Sequence, residues 1–255
     1  MRETISACII TYNEEKNIRR CLESVQWADE IIVVDSLSTD RTVEICREFT
    51  DKIVQKTWPG YIGQKNFAID CASNEWVLCI DADEMVSSEL RQEILGEFQK
   101  ADETVDGYFC PRRTFYLGKW IKHGGWYPDY KLRLFKRSKG RWGGADPHDK
   151  VVLSGKAKYL KSDLYHFTYR NLSHQLKTID NFSTISAEIF SRQGKRFNLI
   201  NLLIRPPIKF ITTYIFKKGF LDGLPGLIIS VSSSFYVFLK YAKLWEKERA
   251  KGIGG

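Results

Sequence analysis

Along the first hundred residues, short apolar runs rich in β-branched side chains alternate with stretches whose apolar positions recur at helical spacing. Ile5–Ile10 and Ile31–Val34 are nearly unbroken apolar runs, the pattern of strands covered on both faces. Between them, residues 14–26 set Ile18, Leu22 and Val25 on one helical face with charged residues opposite. Thr42–Phe49 repeats the helical pattern, Lys52–Gln55 predicts a third strand, Gly63–Cys71 a further helix, and Trp76–Ile80 a fourth strand. A helix from Ser88 to Lys100 follows, with Ser87 or Ser88 as its N-cap. This alternation predicts right-handed crossovers and an α/β fold, a doubly wound, mainly parallel central sheet flanked by helices. Beyond residue 100 the pattern changes. Asp106–Arg113, Lys131–Lys136 and Lys150–Leu153 read as strands among loops rich in Gly, Trp and Tyr, and residues 172–193 read as a helix.

From Phe197 onward the chain is apolar in blocks: Leu199–Ile204, Ile208–Phe216 and Leu224–Leu239. Arg205-Pro206-Pro207, Lys217-Lys218-Gly219 and Ser232-Ser233-Ser234 are expected to break them. A spanning helix needs about 20 mostly apolar residues. The blocks are shorter, so amphipathic helices lying in the membrane interface are expected, with a re-entrant or packed arrangement as the alternative. Charge sharpens this picture. The net charge of +8 resides wholly in residues 195–255, where eleven Lys or Arg face three acids, while residues 1–194 balance at 28 of each sign. Basic residues interleaved with Phe, Ile and Leu suit an anionic membrane surface, and no nucleic-acid partner is expected. The domain boundary is accordingly expected at 194/195, with a nucleotide-sugar half at about 1–100 and an acceptor half at about 101–194.

Six cysteines lack any C-x-x-C spacing, and several lie in apolar runs. They read as buried free thiols in a reducing compartment. Met1-Arg2-Glu3 leads straight into the first strand, so the cytoplasm is the expected location.

In open α/β sheets, ligands bind beyond the carboxyl ends of the strands. The first predicted strand ends in Thr11-Tyr12-Asn13-Glu14, the second in Asp35-Ser36, and the fourth in Asp81-Ala82-Asp83-Glu84. Parallel strands bring these three clusters to one edge. A closely spaced Asp81-x-Asp83 pair after a buried strand suits a hard divalent cation, which takes carboxylate and phosphate oxygens. A solvated turn with an Asp capping the next helix is the plainer alternative. No G-x-G-x-x-G follows the first strand and no P-loop sequence occurs, which disfavours dinucleotide-dependent dehydrogenases and P-loop NTPases.

Three segments carry a resemblance: Ile9-Ile10-Thr11-Tyr12-Asn13-Glu14-Glu15, Val33-Val34-Asp35-Ser36-Leu37-Ser38-Thr39-Asp40, and Ile80-Asp81-Ala82-Asp83-Glu84. In order, spacing and strand context they resemble the family 2 inverting glycosyltransferases of the GT-A fold. Gln64-Lys65-Asn66-Phe67-Ala68, Trp126-Tyr127-Pro128-Asp129, Arg133-Leu134-Phe135 and His148-Asp149 extend the resemblance to the branch of lipopolysaccharide-core β-glucosyltransferases. Two departures stand out: Leu37 replaces a usual Gly, and Asp149 a usual Glu.

The resemblance implies that Thr11, Tyr12, Asn13, Glu14 and Asp35 bind the nucleoside, with Lys65 and Asn66 near the base or diphosphate. Asp81 and Ala82 would face the ribose or sugar. Asp83 would hold Mn²⁺ or Mg²⁺, with His148 as a metal or phosphate contact. An inverting transfer needs a carboxylate to take the acceptor proton. Asp149 is the first candidate and Asp129 the second.

The implied activity is transfer of a hexose, glucose from UDP-glucose, onto a lipid-linked glycan such as the lipopolysaccharide inner core, by an enzyme peripheral on the inner face of the cell membrane. Two other classes compete. One is a non-catalytic peripheral membrane protein that binds nucleotide sugars, and the other a metal-dependent phosphatase or nucleotidyltransferase. The sequence leaves the oligomeric state open.

Overall fold

The computed structural model describes residues 3–100, 102–145 and 148–252, leaving aside the side chains of Ala145, His148 and Lys251. The chain divides into two units. The first runs to Arg113 and resumes over Asp129–Phe167; the second comprises Thr114–Pro128 and the chain from Thr168. This division differs from the boundary expected at 194/195, because the helix at 172–192 and the loop at 114–128 fall with the tail.

In the first unit, β1 (Ile5–Thr11), β2 (Glu30–Asp35), β3 (Ile53–Gln55) and β4 (Trp76–Asp81) are parallel in the order β3-β2-β1-β4. The connections are α1 (Ile18–Val25), α2 (Thr42–Cys46) and α3 (Tyr61–Asp70). β5 (Glu84–Val86) follows at once, then α4 (Ser88–Gln99), capped by the Ser87 hydroxyl, which accepts from the Leu90 amide at 3.0 Å. The sheet continues through β8 (Asp129–Lys136), β6 (Val105–Tyr116), β12 (Leu164–His166) and β5. β8 is antiparallel to both β4 and β6. β11 (Lys156–Tyr159) adds to β6, while β9 (Gly140–Ala145) and β10 (His148–Leu153) form a separate hairpin.

Alternation along β1 divides the core. Ile5, Ala7 and Ile9 join Ile18, Leu22, Val25, Leu90 and Ile94 on one face, while Cys8 and Ile10 join Ala68, Ile69 and Trp142 on the other. Each fully buried aliphatic side chain contributes about 1.5–3 kcal/mol. All six cysteines are free, and five of them are buried.

The predicted elements form, with shorter helices at two places. α1 starts at Ile18, after a turn in which the Glu14 carbonyl accepts from the Asn17 and Ile18 amides. β5 was not expected, since three residues carry no period.

The second unit contains the hairpin strand β7 (Lys119–Trp120), paired with the end of β6, and helices α5 (Leu172–Arg192), α6 (Leu199–Ile211) and α7 (Leu224–Gly252). Here two of the three expected breaks fail, while Lys217-Lys218-Gly219 does end the π-helical turn before a short 3-10 turn over Gly219–Asp222. α6 passes through Pro206 and Pro207 and continues as a π-helical turn over Thr212–Phe216. Pro206 is buried and its carbonyl accepts from the Ser234 hydroxyl at 2.8 Å, so packing against α7 outweighs the local proline penalty. The serine triplet likewise lies inside a continuous α7, because small side chains let the two helices approach. Gly226 lets the turn Gly219–Asp222 lie against the start of α7, since a Cβ there would come within 1.9 Å of the Gly219 carbonyl oxygen. By length and composition alone, Leu199–Phe216 and Leu224–Ala250 are each long and apolar enough to cross a membrane.

A buried carboxylate ties the far end of the parallel strands. Glu30 accepts from the Ser6 hydroxyl, from the Ser73 amide and hydroxyl at 2.8 Å each, and pairs with Lys52. Burial pushes its pKa up, but Lys52, Ser6 and Ser73 outweigh this and bring it down to about 2. A depressed folded pKa gives stability that is present above the unfolded value near 4.5 and lost as pH falls towards 2. The Glu30→Gln variant is therefore expected to be less stable than the wild type at pH 7, by about 3 kcal/mol. That gap should close between pH 4.5 and 2 in urea titrations. A pH-independent gap would show that the carboxylate charge contributes nothing.

Candidate active site

The parallel register brings the three acidic or polar clusters together. Thr11 pairs with Asp35 across β1 and β2, and Ile10 pairs with Asp81 across β1 and β4. β8 enters antiparallel beside β4 and adds a cation to this edge. Arg133, almost fully buried, donates to Asp81 at 2.7 Å and to Glu84 at 2.6 Å.

From Arg133 an alternating chain of charges extends both ways. On one side, Lys65 Nζ lies 3.2 Å from Asp81 and 2.8 Å from Asp149, with the Trp142 ring 4.1 Å away. On the other, Glu84 meets Arg112 at 3.3 Å, Arg112 binds Asp129 at 2.7 Å, and Lys131 closes the row at 3.0 Å from Asp129. Four carboxylates thus alternate with four cations, and the row is neutral overall. The two candidate bases, Asp149 and Asp129, stand near its opposite ends. Burial pushes the Asp81 carboxyl up, but Lys65 and Arg133 overcome this and hold it well below the usual carboxylate range. Burial likewise opposes the charge on Arg133, yet Glu84 and Asp81 keep it firmly protonated.

The other predicted residues divide by what their side chains already touch. Asp35 is wholly buried and accepts from the Ser38 amide and the Gln55 amide group, at 2.9 Å each. Asn13, at φ 52°, accepts from the Thr39 amide at 2.8 Å, and Glu14 accepts from the Asn17 side chain at 2.6 Å. Asn66 grips the backbone of Trp142 through both ends of its amide, at 2.9 and 3.0 Å, and so fixes the β9–β10 hairpin on α3. Tyr12 is exposed, and Ala82 is buried. The Thr11 hydroxyl, the Gln64 carbonyl oxygen and the Trp142 indole N–H are buried without hydrogen-bond partners among the described residues, leaving unused capacity around the ends of β1 and α3. Leu37, the departure from glycine, sits at φ 61° and 48% exposed. The turn therefore keeps the left-handed conformation that glycine favours.

Asp83 stands beside this row. Its Oδ2 lies 3.3 Å from His166 Nε2, from β12. Burial pushes its pKa up, but His166 outweighs this and lowers it. A carboxylate and an imidazole side by side are donors that Mn²⁺ or Mg²⁺ accepts, the carboxylate for either ion and the imidazole for Mn²⁺ in particular. Among the described residues no three His, Cys, Asp or Glu side chains gather into a ready ligand set, so ligand oxygens would complete the coordination. The side chain of His148, the other expected metal contact, lies outside the described residues.

Comparison with known proteins decides the family. The model for glycosyl transferase family 2 matches residues 6–161. The chain belongs to glycosyl transferase family 2. Among its relatives is the lipopolysaccharide core biosynthesis glycosyltransferase LpsC of Rhizobium meliloti, 32% identical over 97% of this chain and 94% of that protein. An uncharacterised glycosyltransferase of Rickettsia typhi is 34% identical over 95% of this chain and 87% of its own length. Among solved structures, the mannosyltransferase PcManGT of Pyrobaculum calidifontis, in complex with GDP-Man and Mn²⁺, has a TM-score of 0.57. It is 16% identical and covers 97% of this chain and 88% of that one, a likeness of fold. The central α/β sheet is that of the GT-A glycosyltransferases.

In this family 2 glycosyltransferase, sequence reasoning missed Glu84 and Arg112. A Glu directly after D-x-D, with two Arg on later strands, was the available signal. Glu84 is wholly buried between Arg133 and Arg112, and its other oxygen accepts from the Asp81 amide at 3.0 Å. Removing it leaves two guanidinium groups facing each other. Glu84→Ala is expected to cost about 3–5 kcal/mol in denaturant unfolding. A loss under about 1 kcal/mol would mean that the row does not hold the strand edge together.

Proposed function

We propose that this family 2 glycosyltransferase moves a hexose, glucose from UDP-glucose, with inversion onto a lipid-anchored glycan of the lipopolysaccharide inner core. The observation that carries this reading is the neutral charge row running from Asp149 to Asp129 and Lys131, with Asp83 beside it. A diphosphate entering beside Asp81 and Asp83 finds no surplus positive charge, because Lys65 and Arg133 are already shared with carboxylates. A divalent cation held by Asp83, with His166 next to it, would supply that charge and neutralise the departing diphosphate. The name of the Rhizobium relative supports the acceptor class, and the Mn²⁺ of the Pyrobaculum structure supports a metal.

The transfer requires the acceptor oxygen to attack the anomeric carbon as the bond to the diphosphate breaks and a carboxylate takes the proton. Asp149 suits this role better than Asp129. Burial raises the pKa of Asp129, but Arg112 and Lys131 outweigh it and lower the pKa, which weakens Asp129 as a proton acceptor. Asp149 shares Lys65 with Asp81 and so sits beside the residue assigned to the sugar. Arg112 then serves to hold Asp129 in place.

The second unit supports action at the inner face of the cell membrane. α6 exposes Ile200, Ile204, Ile208 and Ile211 along one side. α7 is joined to the polar helix α5 through Lys243 with Asp180 at 2.5 Å and Lys247 with Glu188 at 3.1 Å. Charged pairs along that seam are costly within hydrocarbon, so helices lying in the interface fit better than two spans.

Release of UDP from UDP-glucose, in the presence of extracted lipopolysaccharide core, tests the assignment. Asp149→Asn should lower the rate by about 10²–10⁴-fold, with donor affinity unchanged, whereas Asp129→Asn should keep turnover within about tenfold. Full turnover in Asp149→Asn would move the base to Asp129.

A further inference from the structure

The loop Thr114–Pro128 and the turn after the π-helix are stitched together within the second unit. Asp222, buried and joined to three groups, accepts from the amides of Lys122 at 3.1 Å and His123 at 2.8 Å and faces His123 Nδ1 at 3.2 Å. The Gly124 amide donates to the Lys217 carbonyl at 2.8 Å. Gly125 allows Lys217 to lie against the loop, since a Cβ there would come within 2.7 Å of its ammonium nitrogen.

This seam gathers Lys119, Lys122, Lys217 and Lys218, all exposed. Among the described residues no carboxylate pairs with them. Residues 114–128 contain no Asp or Glu, and Asp222 is the sole acid between Glu188 and Glu246. Its charge is spent on the loop backbone. Beside the lysines, Phe216 is 76% exposed and Leu224 67% exposed, with Phe220 and Leu221 also open to solvent. An apolar wedge ringed by unpaired lysines matches an anionic bilayer, apolar groups entering the acyl boundary and ammonium groups meeting headgroup phosphates.

We propose that this seam is the anionic-lipid site of the protein, formed jointly by the 117–125 loop and the 216–224 turn. The proposal rests on the membrane reading above and changes it, because two of the four lysines lie outside the basic tail. The loop leaves the first unit after Arg113 and returns at Asp129, so lipid binding fastens the segment whose neck is the Arg112–Asp129 pair.

Sedimentation of the full chain with phosphatidylcholine vesicles, with and without phosphatidylglycerol, tests it. Wild type should bind the phosphatidylglycerol vesicles alone. K119Q/K122Q and K217Q/K218Q should each weaken binding about 30-fold, at roughly fivefold per lysine, with thermal midpoints unchanged. Undiminished binding by K119Q/K122Q, or equal binding of wild type to neutral vesicles, would overturn the proposal. Displacement by inorganic phosphate at constant ionic strength would also overturn it, in favour of a soluble phosphate ligand. Donor-induced thermal shifts in the same variants separate the two readings. Missing donor binding in wild type sinks the glycosyltransfer reading while leaving the vesicle result interpretable.

Discussion

Arg133 is buried between Asp81 and Glu84, and the open edge of the sheet is organised around that guanidinium. A lone buried cation is costly, and two carboxylates at hydrogen-bonding distance make it tolerable. The constraint propagates outward. Glu84 can accept Arg133 only if β5 follows the D-x-D turn at once, and its free capacity then recruits Arg112 from β6. Asp81 has capacity left for Lys65 of α3, which reaches Asp149 on the hairpin. Segments from several parts of the chain are thereby fixed relative to one another by charge at the edge where the proposed donor site lies.

That arrangement sets the chemistry available. Lys65 and Arg133 hold the Asp81 carboxyl, and Arg112 and Lys131 the Asp129 carboxyl, below the usual carboxylate range against the effect of burial, so these two stay ionised. Asp83 stands outside the row, beside His166, and on the proposed reading it is the carboxylate that a divalent cation would share. Asp149 and Asp129 lie near opposite ends, Asp149 paired among the described residues with Lys65 alone and Asp129 with both Arg112 and Lys131.

Much of this was legible along the chain because parallel strands convert sequence position into spatial position. A run such as Trp76–Ile80 predicts a buried strand, and whatever follows it must emerge at the ligand-binding edge. Thr11, Asp35, Asp81 and Asp83 are found together for that reason. Arg112 was not legible, because an antiparallel strand brings it to the site without any local period that marks it. Asn66 and Asp35 also carry structural bonds that no local pattern announces, to Trp142 and to Ser38 and Gln55. The tail misled through local rules. Proline and serine predict helix breaks when a segment stands alone, yet α6 and α7 run on because each packs on the other.

The central claim is that Asp83 and the charge row form a metal-dependent nucleotide-sugar site. Thermal shift with UDP, GDP, ADP, dTDP, UDP-glucose and GDP-mannose, each with Mn²⁺ and then with EDTA, tests it most directly. Ligand at about 100 times its dissociation constant should stabilise the fold by roughly 2.7 kcal/mol. The account predicts a shift with the uridine nucleotides that disappears with EDTA and in Asp83→Ala. A shift that persists in both, or none with any nucleotide, would contradict it.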